Sequence, residues 1–142
     1  MARTYSKVTV ENGQRVLRKL DSGATVASGD EIEVTLEVTA DQEYEWLMMD
    51  DPLPSGFEAV REYWGYAGWG RWNYWYSRKE FRDEKVSIAM TTLSAGIHRA
   101  SYVMRAETPG DFHALPAQVF NMYHPQIGGN SAEFRIKVVD KK

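Results

Sequence analysis

The chain has 142 residues, no cysteine, and seventeen Lys and Arg set against twenty Asp and Glu, leaving a net charge of -3. That length suits a single domain, able to bury roughly two thirds of the surface its unfolded chain exposes. The intermixed charges offer no basic stripe for nucleic acid, and the lack of cysteine excludes disulfides, thiolate metal sites and cysteine nucleophiles.

Taken from the N-terminus, the pattern is β almost throughout. Met1-Ala2-Arg3-Thr4-Tyr5 is polar and lacks the apolar stretch of a signal peptide, so an extracytoplasmic setting requires an export signal upstream. Strands are expected at 3–10 and 13–19, followed by turns at Asp21-Ser22-Gly23 and Ser28-Gly29-Asp30. Residues 31–40 alternate strictly: Ile32, Val34, Leu36 and Val38 face one way, charged residues and threonines the other. A period of two over that length marks a half-buried strand. A further strand at 44–50 runs into the turn Pro52-Leu53-Pro54-Ser55-Gly56; its apolar run, Trp46-Leu47-Met48-Met49, is too short to cross a bilayer.

Residues 63–76, YWGYAGWGRWNYWY, hold eight aromatic side chains together with Gly65, Gly68 and Gly70. The glycines make 63–71 a long hairpin tip, from which a strand at 72–82 emerges. Strands at 85–92 and 97–107 repeat the alternation through Val86, Ile88 and Met90 and through Tyr102, Met104 and Ala106. After a turn at Pro109-Gly110-Asp111 come strands at 117–120 and 132–139, separated by a Gly128-Gly129-Asn130 turn. Short strands punctuated by turns, with no clean helical period, predict an all-β fold: a single antiparallel β-sandwich spanning 1–142.

Candidate chemistry is sparse. His98, His113 and His124 have no helical spacing and no cysteine beside them, so surface or turn positions account for them better than a metal site does. Asp50-Asp51 is a paired carboxylate, but adjacent strand residues point to opposite faces, which disfavours joint action on one bond. A strand end capped by aspartate before a proline turn is the simpler reading. Glu80-Phe81-Arg82-Asp83-Glu84-Lys85 reads as a charged turn with local ion pairs. Nucleotide-binding and nucleophile-elbow motifs are absent, so no enzyme and no cofactor is expected.

Two stretches stand out as contact surfaces. In the aromatic run, Trp64, Tyr66, Trp69 and Trp72 suit packing on the domain itself, a protein interface, or stacking on sugar rings, with Arg71 and Asn73 available for hydrogen bonds. Met122-Tyr123-His124-Pro125, ahead of Gly128-Gly129, is an ordered loop displaying a large aromatic; it serves either as a lid on the sandwich end or as a plug for a neighbour's pocket.

Together these stretches resemble a family. Gly29-Asp30-Glu31-Ile32-Glu33-Val34, Asp50-Asp51-Pro52-Leu53-Pro54-Ser55-Gly56-Phe57-Glu58 and Glu80-Phe81-Arg82-Asp83-Glu84-Lys85-Val86 look like the C-terminal macroglobulin-like domain of bacterial alpha-2-macroglobulins. Gly96-Ile97-His98, Arg105 to Phe112, Pro116-Ala117 and Met122-Tyr123-His124-Pro125 extend the likeness over about residues 3–139. The resemblance implies a macroglobulin- or immunoglobulin-like β-sandwich at the end of a very large periplasmic or cell-envelope protease inhibitor. In such traps a protease cuts a bait region, the molecule rearranges, and members with a Cys–Gln thioester capture the attacker covalently. The resemblance further implies docking on neighbouring domains, with Tyr123, flanked by Met122 and His124, shielding the thioester from water. It implies proteases as partners only through the parent, while the charge balance and the short apolar runs speak against nucleic acid and membrane insertion. The alternative is a carbohydrate-binding or adhesive sandwich using residues 63–76.

Overall fold

The structure, a computed structural model, describes residues 1–60, 76 and 78–141. Among them are thirteen strands and no helix: β1 (Ala2–Glu11), β2 (Gln14–Leu20), β3 (Ala24–Ala27), β4 (Glu31–Ala40), β5 (Tyr44–Pro52), β6 (Phe57–Val60), β7 (Arg78–Phe81), β8 (Lys85–Leu93), β9 (Gly96–Ala106), β10 (Gly110–Ala114), β11 (Gln118–Asn121), β12 (Gly128–Asn130) and β13 (Phe134–Val139). They form a five-stranded sheet ordered β2-β1-β4-β9-β6, a second ordered β12-β11-β5-β8-β7, and a three-stranded sheet ordered β10-β13-β3. The expected β-sandwich is the observed architecture, antiparallel in every pairing except β3 with β13.

The alternation predicted for 31–40 decides the core. Ile32, Val34 and Leu36 are fully shielded, and their β9 partners Met104, Tyr102 and Ala100 are buried with them. Leu47 and Met49 of β5 and Val86, Ile88 and Met90 of β8 supply the opposing layer; Val26, Phe134, Ile136 and Val138 of the small sheet complete one continuous cluster. Each buried Leu, Ile or Met contributes about 1.5–3 kcal/mol relative to exposure. Tyr5 and Phe134 stack within this core, ring centroids 4.2 Å apart.

The short strands depart from the sequence reading. β3 and β6 were not expected at all, and Gly110 and Gly128-Gly129-Asn130, read as turns, open or form strands β10 and β12. Three to five residues carry too few periods for alternation to register. Gly128 is in its strand for a steric reason: a Cβ there would sit 1.9 Å from the Val119 carbonyl oxygen. Of the strand expected at 72–82, Arg78–Phe81 is β7; residues 61–75 and 77 lie outside the described residues.

Candidate functional site

Two places concentrate unusual chemistry. The first is inside the sandwich. Arg3 on β1, Asp51 on β5 and Tyr102 on β9 meet between the two large sheets. Arg3 Nη1 donates to Asp51 Oδ1 at 2.5 Å, with side chains 1% and 0% exposed respectively. The Tyr102 hydroxyl donates to Asp51 Oδ2 at 2.5 Å. The same guanidinium donates to the carbonyls of Leu115 at 2.7 Å, Ala132 at 3.0 Å and Ala114 at 3.3 Å. One arginine thus ties the first strand to the segments on either side of β11 and β12. Burial pushes the Asp51 carboxyl above its ordinary value, against the downward pull of Arg3 and of the Tyr102 hydrogen bond. Burial, reinforced by the Asp51 charge, likewise raises the Tyr5 and Tyr102 phenols.

This corrects the reading of Asp50-Asp51 as a strand cap. The two carboxylates do face opposite ways, as expected: Asp50 accepts from Ser87 Oγ at 2.8 Å and pairs with Lys85 at 3.2 Å on the outer side. Asp51, however, is a buried ion-pair member within β5, not a cap. The signal was available in the sequence, since Asp51 shares the parity of Leu47 and Met49, and Arg3 that of Tyr5. A fully buried carboxylate satisfied by a guanidinium and a phenol is a structural device.

The second place is the loop between β11 and β12. Asn121 organises it: its Oδ1 accepts the backbone N–H groups of Tyr123 and His124, each at 2.9 Å, while its Nδ2 donates to the Glu45 carbonyl at 2.8 Å. Asn121 N donates to Ile127 O and Ile127 N to His124 O, both at 2.9 Å, closing the turn. Met122 N donates to the Trp46 carbonyl at 2.8 Å. Fixed this way, Tyr123 stands 70% exposed, and Met122, Ile127 and Trp46 are each about two fifths exposed. The Trp46 and Tyr123 rings meet edge to face, centroids 6.4 Å apart. Trp46 adopts φ of 58°, a left-handed backbone inside a strand; for a bulky residue this costs of order 1–3 kcal/mol.

The loop residues singled out from sequence therefore divide. Tyr123 through its ring and Met122 through its backbone both meet Trp46, a partner the sequence reading missed because no side-chain pattern reports a backbone angle. Pro125 instead lines a groove of about 580 Å³ together with Gln118, Phe120, Gln126 and Asn130. His124 is exposed and takes part through its backbone. His98 meets the Ser94 carbonyl at 2.8 Å and His113 lies 2.7 Å from Glu133. Among the described residues no cluster of three or more His, Asp or Glu side chains could hold a metal ion. The charged turn is as expected, with Glu80 paired to Arg78 and Arg82 at 2.5 and 2.9 Å. Trp64, Tyr66, Trp69 and Trp72 lie outside the described residues.

Residues 2–126 match the family described as Bacterial Alpha-2-macroglobulin MG10 domain. The chain belongs to that family. An alpha-2-macroglobulin homolog of Nostoc sp. is 30% identical over 98% of the chain, and an alpha-2-macroglobulin of Thermotoga maritima 33% over 67%. The MG10 chain spans only 8% and 6% of these relatives' lengths. A mutant of Salmonella alpha-2-macroglobulin superposes with a TM-score of 0.73 at 26% identity, covering 97% of the MG10 chain and 9% of its own. An Escherichia coli alpha-2-macroglobulin fragment running from domain MG7 to the C-terminus superposes with a TM-score of 0.71 at 22% identity, over 97% of this chain and 23% of that one, a likeness of fold.

Proposed function

We propose that this MG10 domain is the non-enzymatic terminal module of a large protease trap of the cell envelope, and that its β11–β12 loop docks on a neighbouring, thioester-bearing domain of the same parent. Tyr123, supported by Met122, covers the thioester and keeps water and amines away from it. The observation that carries this reading is the combination of exposure and rigidity at Tyr123. A ring this exposed normally turns freely in solvent, yet this one stands on a loop closed by Asn121 and held to β5. A cluster of exposed apolar side chains on a fixed loop is a contact surface. The relatives' lengths leave more than nine tenths of a parent chain to supply the partner. A strained acyl bond survives when water is excluded, and a rigid aromatic ring is suited to exclude it. Proteases are partners of the parent, reached only through it.

The test is Tyr123→Gly in the full-length parent, with appearance of the free thiol followed after adding methylamine. Faster thiol release than in the unaltered protein is expected, and Tyr123→Phe, which keeps the ring, should release thiol at the unaltered rate. Equal rates for Tyr123→Gly and the unaltered parent would remove the shielding role.

A further inference from the structure

We propose that Trp46 is the positioning residue for Tyr123, fixing both the backbone and the ring of the shielding tyrosine. The inference rests on the shielding role proposed above and adds a residue to it from a different strand. Three observations converge on Trp46. Its backbone sits at φ 58° at the third residue of β5, where glycine or asparagine would be the inexpensive choice; the sequence places the bulkiest side chain there instead. Its carbonyl accepts the Met122 N–H at 2.8 Å, so the strained residue carries the β5–β11 pairing one step past Asn121 and into the loop. Its indole meets Tyr123 edge to face at 6.4 Å with planes 84° apart.

A core-packing role does not account for this pair. Trp46 is 44% exposed and Tyr123 70%, so their contact buries little surface and adds little to the stability of the sandwich. What an edge-to-face contact does supply is direction: it favours one ring orientation over the others. Tyr123 left alone would sample several rotamers, and each orientation away from the thioester would admit water. Trp46 restricts that sampling before the two domains meet, so less ordering is left to be done on docking.

Thiol release from the full-length parent under methylamine tests this. Trp46→Gly suits the left-handed backbone and keeps the carbonyl, but removes the indole. It is expected to speed thiol release about two- to tenfold, the range set by the worth of an aromatic pair. Trp46→Leu keeps bulk without an aromatic edge and should behave alike, whereas Trp46→Phe should restore the slow rate. The double variant Trp46→Gly, Tyr123→Gly should be no faster than Tyr123→Gly alone, because Trp46 acts through that ring. Slow release from Trp46→Gly and Trp46→Leu beside fast release from Tyr123→Gly overturns the role of Trp46 and leaves the shield intact. Rates that multiply in the double variant overturn it as well. Slow release from Tyr123→Gly, or a parent that yields no thiol at all, overturns shield and positioning together.

Discussion

Arg3 and Asp51, forty-eight positions apart, face one another across the sandwich at 2.5 Å, both sealed from solvent. Removing one member of such a pair leaves the other charge buried and alone, at a cost of about 3–5 kcal/mol. Arg3→Ala is therefore expected to lower the urea midpoint sharply. The double change Arg3→Met, Asp51→Leu should recover only part of the loss, because the carbonyls of Ala114, Leu115 and Ala132 lose their donor too. Full recovery would show that those three bonds contribute nothing.

The protonation of Asp51 gives a signed pH dependence. Its folded carboxyl titrates above the ordinary 3.8, chiefly through burial. The folded state therefore holds the proton more tightly than the unfolded chain. That contribution to stability is fully present below the ordinary value and is lost as pH rises through the raised one. Asp51→Asn removes the titration, so the stability difference between unaltered and Asp51→Asn protein should be largest in acid and shrink to a plateau as pH rises. Denaturant unfolding at a series of pH values measures it. A difference that grows with pH would mean that Arg3 outweighs desolvation.

Two adjacent glycines make a controlled pair. A Cβ on Gly128 would lie 1.9 Å from the Val119 carbonyl oxygen, while one on Gly129 would meet nothing within 4 Å. Gly128→Ala must push β12 off β11, at roughly 1–3 kcal/mol by the usual cost of overpacking. Gly129→Ala should leave the melting temperature close to unaltered. Amide exchange would locate the damage of Gly128→Ala at the β11–β12 ladder and the loop it closes; equal melting temperatures for the two variants would contradict the close approach.

Much of the framework was legible because alternation survives in long strands. Ile32 to Val38 and Tyr102 to Ala106 announced a shared core face, and the two strands are direct partners. The same parity placed Asp51 on the inner face beside Met49, but a carboxylate before Pro52 reads as a turn residue until a buried cation is seen opposite it. β12 hid behind its glycines, whose role is close approach to a neighbouring backbone and not chain reversal. The displayed aromatic at 123 could be picked out from its Met-Tyr-His-Pro setting. Its dependence on Trp46 could not, because the link is a backbone angle and a ring orientation.

The parallel pairing of β3 with β13 has a consequence for folding. β13 is flanked by β10 and β3, so that sheet has no centre until Phe134–Val139 is in place. Until then Ala24–Ala27 and Gly110–Ala114 wait with open edges, and the interior that Ile136 and Val138 fill stays exposed. Pairings this distant in sequence close slowly and leave unfinished chains prone to association. The small sheet therefore cannot form progressively from its N-terminal strand; a chain cut before residue 134 would carry β3 and β10 without the strand that joins them.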